Sequence, residues 1–142
     1  MRTVLGVIVG IIVAFVVQSA ADFLGNQLYP PRISDVLNRE QIAAALAARP
    51  TGALWLGVGG YFLGGLAGGW IGKRISGSAA SAWVPAALLG LMALLIGFSF
   101  PVPTWATIAT FAAALLGGMV ANHLAKPGGA DASAKTATGA DA

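Results

Sequence analysis

Long apolar stretches alternate with short polar ones along the chain. Four of them, Val4 to Leu24, Ala53 to Gly72, Ala82 to Phe100 and Pro103 to Leu124, are nearly uncharged. Each is close to the length of a membrane-crossing helix, which needs about 20 largely apolar residues. A polar segment, Gly25 to Gly52, separates the first two, and Lys73 to Ser81 separates the second from the third. Pro101-Val102-Pro103 joins the third to the fourth. So tight a turn makes those two helices antiparallel neighbours, because nothing longer is there to reach elsewhere. The pattern predicts an all-α membrane protein, a four-transmembrane-helix bundle over residues 1–125. After Leu124 no large apolar residue occurs, and Lys126 to Ala142 is mostly Ala, Gly, Ser, Thr, Asp and Lys. That tail cannot bury enough surface to offset its ordering entropy, which predicts disorder.

The first polar segment predicts structure of its own. Tyr29-Pro30-Pro31 imposes an extended path, since proline restricts itself and the residue before it. Asn38-Arg39-Glu40-Gln41 then fits a capping box, with Asn38 as N-cap and Gln41 reaching back to it. Alanine-rich Ile42 to Ala48 follows, and Pro50 stops it. Ile42, Leu46 and Arg49 recur at helical spacing, which predicts a short amphipathic helix. It either lies on the membrane surface or merely links the two spans. The first span also has the layout of a signal peptide: Arg2, the apolar run Val4 to Val17, and the small residues Ser19-Ala20-Ala21. The apolar run continues past that site to Leu24, and the span carries a small-residue row that a discarded segment does not need. An uncleaved span is the expectation.

Composition narrows the class. Hydrophobic residues make up 57% and charged residues 9%, whereas a soluble domain carries about a quarter charged residues. A water-soluble globule is excluded. The absence of cysteine removes disulfides, iron–sulfur clusters, thiolate zinc sites and cysteine nucleophiles. A single histidine removes a multi-histidine metal site or a bis-histidine haem within one chain. No metal and no cofactor is expected. The formal net charge of +3 comes from eight basic residues spread along the chain, which signals topology rather than nucleic-acid binding.

Orientation follows from those basic residues. With the N-terminus inside, Arg2, Lys73, Arg74, Lys126 and Lys135 are cytoplasmic, and Arg32, Arg39 and Arg49 are outside. The bias favours a multi-pass chain with both termini in the cytoplasm. Tryptophan placement agrees: Trp55 and Trp105 begin spans on the outer side, and Trp70 and Trp83 sit at inner ends. Indole is stable with one edge wet and one apolar.

Span two is the most distinctive. Gly60, Gly64, Gly68 and Gly72 recur every four residues, Gly65 and Gly69 form an adjacent pair, and eight of the sixteen residues from Gly57 to Gly72 are glycine. In water each costs about 1 kcal/mol relative to alanine in a helix. In lipid the penalty for unsatisfied backbone keeps such a segment helical, and its smooth ridge lets another backbone approach closely. Matching faces are present. Span one has Gly6, Gly10 and Ala14. Span four has Ala106, Thr110, Ala114, Gly118 and a second row, Ala109, Ala113, Gly117, Ala121. The ridge therefore serves either static packing or a pore or moving interface.

The row in span one continues as Gln18 and Asp22. Gln18 lies about 9 Å below Leu24, and Tyr61 about 12 Å in from Ala53. Thr107, Thr110 and Ser99 fall in the same outer half, so a polar cluster there is the candidate site. A charged residue inside a span is a functional-site hypothesis by default. Asp22 is also within a turn of the span's end, where headgroup water would reach it. Arg32 and Arg49 are the basic residues positioned to approach it from the outer loop. His123 ends span four on the opposite face, where it favours the helix dipole, so it cannot pair with Asp22.

The order of span, Leu28-Tyr29-Pro30-Pro31, short helix, glycine-rich span with Ala67-Gly68-Gly69, and helical hairpin resembles a group of small four-span bacterial membrane proteins. The resemblance covers Val4 to Leu124 and implies an uncleaved first span; it carries no activity. Three functional classes follow. The first is a non-enzymatic structural or accessory subunit, packed through small-residue faces against a protein partner or further copies of itself. The second is a small oligomeric transporter or channel using the Gln18/Asp22/Tyr61 region. The third, a membrane enzyme, has least in its favour, since Asp22 and His123 sit on opposite membrane faces and cannot form one catalytic pair.

Overall fold

The structure, a computed structural model, describes residues 1–125; the tail expected to be disordered lies outside the described residues. Five helices follow in order: α1 (Arg2–Leu28), α2 (Arg39–Ala47), α3 (Thr51–Ser76), α4 (Ala80–Ser99) and α5 (Thr104–Leu124). No strand occurs among the described residues. Helices α1, α3, α4 and α5 are each long and apolar enough to cross a membrane, which makes this a multi-pass membrane protein.

Two helices run further than their apolar stretches. α1 continues past Leu24 to Leu28, which carries Asn26 onto the face of Asp22. α3 continues past Gly72 to Ser76, so Lys73 and Arg74 form its last turn rather than a loop. Their charges favour that position, at the negative end of the helix dipole. The helix stops at Gly77, which takes the left-handed φ of 73° and donates its N–H to Lys73 O (2.7 Å), a conformation natural to glycine.

The helices form a bundle with α3 and α4 on its short diagonal. α3 packs on α1, α5 and α4; α4 also packs on α1 and α5; α1 and α5 do not meet. α2 packs on none of them backbone to backbone. It caps one end, and the chain's N-terminus and the α3–α4 turn lie at the other.

Glycine sets the closeness of this packing. α1 and α3 run antiparallel with Gly6 opposite Gly72, Gly10 opposite Gly68, and Ala14 opposite Gly64. A methyl group placed on Gly6 would lie 2.6 Å from Gly72 O, and one on Gly64 2.9 Å from Ala14 O. At Gly60 it would meet Ala21 Cβ at 2.6 Å. The second pair on α3 faces elsewhere: Gly65 lies against Ala114 O, and Gly69 lies between Ala82 O and Ala121 Cβ. On α5, Gly117 abuts Phe62 O and Gly118 abuts Ala86 Cβ. Both rows of α5 are therefore used at once, one toward α3 and one toward α4.

Pro85, buried in α4, adds a further device. Proline lacks the N–H that would bond the carbonyl four residues back. That carbonyl belongs to Ser81, and it points at the Gly72 Cα, where a methyl group would be 2.6 Å away. The freed oxygen thus faces a Cα–H rather than lipid. The buried hydrophobic core is alanine apart from Leu89, which sits with Ala14 and Ala114 while Phe15 and Tyr61 pack against them. Large apolar side chains such as Ile8, Ile12, Val16, Leu91 and Leu95 point outward, as a hydrocarbon solvent permits.

The start of α2 departs from the expected capping box. Asn38 Oδ1 accepts from Glu40 N (3.0 Å) and Gln41 N (3.3 Å), as an N-cap should. Gln41 does not return to Asn38. Its Oε1 accepts from Ser34 N, Ser34 Oγ and Asp35 N at 3.0–3.1 Å. The Asn38 N–H is already held by Asp35 O (3.2 Å), so Gln41 is free to fold the preceding turn.

Candidate functional site

The small-residue contact of α1 with α3 ends at Gly60. One turn further on, nothing lies within 4 Å of a methyl group placed on Gly57. From there to the α2 end the helices enclose a cavity of about 380 Å³. α1 contributes Asp22 and Asn26, α3 contributes Gly57 and Tyr61, α4 contributes Ala93 and Gly97, and α5 contributes Thr107 and Thr110. Leu46 of α2 and Arg49 just beyond it close the top. The helical row Ile42, Leu46, Arg49 is thus partly covered and turned toward the mouth of the bundle.

Asp22 is half-buried and held by its own helix. Gln18, 5% exposed, donates Nε2 to Asp22 Oδ2 (3.2 Å) one turn on. The Gln18 Oε1 is buried and has no partner among the described residues; it rests against Gly60, 3.0 Å from where a Cβ would stand. Asn26 follows after one more turn. Its Oδ1 accepts from Arg49 Nη2 (3.1 Å). Arg49 therefore reaches this wall but bonds beyond Asp22 rather than to it. Arg32 does not take part; it is exposed and lines a neighbouring groove with Tyr29-Pro30-Pro31.

The opposite wall is less polar than its sequence implies. Thr110 Oγ1 is turned back to Ala106 O (2.6 Å), satisfying itself within α5. Thr107, 8% exposed, presses against Gly97. Tyr61, which lines the cavity, packs its ring on the Ala14, Leu89 and Ala114 cluster further along the bundle. Asp22, Tyr61, Thr107 and Thr110 are thus brought together, Gln18 stands behind Asp22, and Ser99 is exposed away from them.

No family model, curated protein or solved structure matches the sequence.

Several side-chain ties were not visible in the sequence. Arg39, at the start of α2, stands 5.8 Å over the Phe100 ring at the end of α4. With the Arg49–Asn26 bond, it straps α2 across the mouth from α4 to α1. Trp55 and Trp105 meet at 5.8 Å between ring centres at that same end. At the other end Arg74 stands 4.9 Å over Trp70. Lys73 Nζ donates to Asn122 O and to Asn122 Oδ1 (2.9 Å), binding α3 to the last turn of α5. His123 beside it is exposed. Among the described residues no three His, Cys, Asp or Glu side chains converge as a metal site would require.

Proposed function

We propose that the chain is a non-enzymatic accessory protein of the bacterial inner membrane, of the kind its Tyr-Pro-Pro pattern resembles. Both termini are cytoplasmic, and the bundle presents a blind pocket to the outer side. The basic residues and the two tryptophan pairs, one at each end, support this orientation. α2 then serves as an amphipathic cover over the pocket, its polar face to water. The small-residue rows act as a zipper that holds the helices rigid around it.

One observation carries the proposal: the pocket has a floor. Below it Gly64 meets Ala14 and Leu89, and Gly65 meets Ala114. Carbonyl oxygens and methyl groups in van der Waals contact leave no thread of water through one chain. The competing reading, an oligomeric transporter, draws on the convergence of Asp22, Tyr61, Thr107 and Thr110 at the pocket. Flux measurements in proteoliposomes separate the two. We expect monovalent cations and small neutral solutes to cross no faster than in protein-free vesicles. A flux that Asp22→Asn abolishes would replace the accessory reading with the transporter.

A further inference from the structure

The pocket holds two opposite charges that do not meet. Asp22 and Asn26 are one helical turn apart, about 6 Å along the axis of α1, and Arg49 is bonded to the second. Gln18 fixes one carboxylate oxygen of Asp22 and leaves the other for the cavity. The Arg49 guanidinium has five N–H donors, and the Asn26 bond uses one of its nitrogens. Asp22 and Arg49 line the same cavity, and Arg49 bonds Asn26 rather than Asp22.

We propose that this pocket binds a compact zwitterion: a primary ammonium against Asp22 and, a few bonds away, a carboxylate or phosphate against Arg49. The proposal rests on the outward-facing pocket described above. Three features select this chemistry. An ammonium brings three donors to a wall whose free group is an acceptor. A divalent metal would need about six oxygen ligands, and the cavity offers one carboxylate. A simple anion would meet Arg49 but also face Asp22. Much of the remaining lining is apolar, Leu46, Leu54, Ala93, Ile96 and Phe100 among it, so whatever the zwitterion carries into the pocket besides its two charges is apolar too. Two sources share this chemistry, a free amino acid and the headgroup of phosphatidylethanolamine in the surrounding leaflet.

The test uses the full chain in detergent and measures binding of four probes. Dioleoyl phosphatidylethanolamine, phosphatidylcholine and phosphatidylglycerol are compared by native mass spectrometry, and L-alanine by calorimetry. Retention of phosphatidylethanolamine over the other two lipids identifies the headgroup; binding of L-alanine identifies a free solute. In either case Asp22→Asn and Arg49→Gln should each weaken binding about tenfold, the loss of one charge-assisted hydrogen bond. Arg49 lies in the outer loop, so its variant stays informative if the α1 variant folds poorly. Equal retention of all three lipids with no alanine binding overturns the proposal, as does preference unmoved by both variants. Solute flux through a pocket that still binds its zwitterion would overturn the accessory reading and leave this one standing.

Discussion

Gly68 gives the sharpest test of how the bundle is held. A methyl group there would lie 2.6 Å from Ala14 Cβ and 3.1 Å from Ala14 Cα, and closer still to Gly10 O. Carbon atoms rest at about 3.5–4.0 Å, so Gly68→Ala must part α1 and α3 by about 1 Å. None of the obstructing atoms is the free end of a flexible side chain. A gap of that size forfeits about a quarter to a half of the dispersion well at each neighbouring contact, and the neighbours are Gly64 and Gly72. Overpacking of this kind costs about 1–3 kcal/mol. Alanine's better helix propensity returns at most about 1 kcal/mol. The net expectation is a loss. Gly59 is the internal control: it lies in the same helix, and nothing stands within 4 Å of its added methyl group. Gly59→Ala keeps the propensity gain and loses no contact. Thermal unfolding of the detergent-extracted protein, followed by size-exclusion chromatography after heating, should place Gly68→Ala below the parent and Gly59→Ala at or above it. Equal midpoints for the two variants would refute the close-approach account.

Asp22→Asn should keep stability near that of the parent, because the amide oxygen still accepts from Gln18. Asp22→Leu leaves the Gln18 amide buried without a partner and should cost about 1–3 kcal/mol in the same thermal assay. Lys73→Met removes the charged donor from the end of α5 at a cost of about 1.5–3 kcal/mol; faster amide exchange around Asn122 would register it. Arg39→Ala together with Asn26→Ala should free both ends of α2 and raise hydrogen exchange in Arg39–Ala47, with the four long helices unchanged. Reporter fusions at Ala142 and within residues 32–49 should report opposite sides of the membrane, and a periplasmic Ala142 would reverse the proposed orientation.

The parts of this fold that were legible in advance are those written locally. Each span is a continuous apolar run, and the lipid environment leaves helix as its only solution. The glycine rows were readable because a spacing of four places residues on one face, and the match of Gly6 and Gly10 with Gly72 and Gly68 needed only antiparallel order. Asn38 was readable as a cap from its own type. What was not legible depends on distant partners. Nothing near Gln41 says that Asp35 O takes the Asn38 N–H first. Nothing near Arg49 names Asn26, and nothing near Lys73 names Asn122. The extent of α3 turned on Gly77, whose left-handed φ ends the helix after the basic pair rather than before it. The polar site was legible as a level in the bundle. That Thr110 satisfies itself and Ser99 faces outward depends on helix rotation, which packing of the whole bundle decides.

The floor of the pocket is the central claim, and thiol accessibility tests it most directly. The chain has no cysteine of its own, so single cysteines report without background. Gly57→Cys enters open space at the pocket, whereas Leu89→Cys replaces a residue 1% exposed at the floor. In sealed vesicles of known orientation, a membrane-impermeant maleimide should label position 57 from the outer side only and position 89 from neither side. Labelling of Leu89→Cys from either face, or of Gly57→Cys from the inner face, would show a continuous aqueous path and contradict the closed bundle.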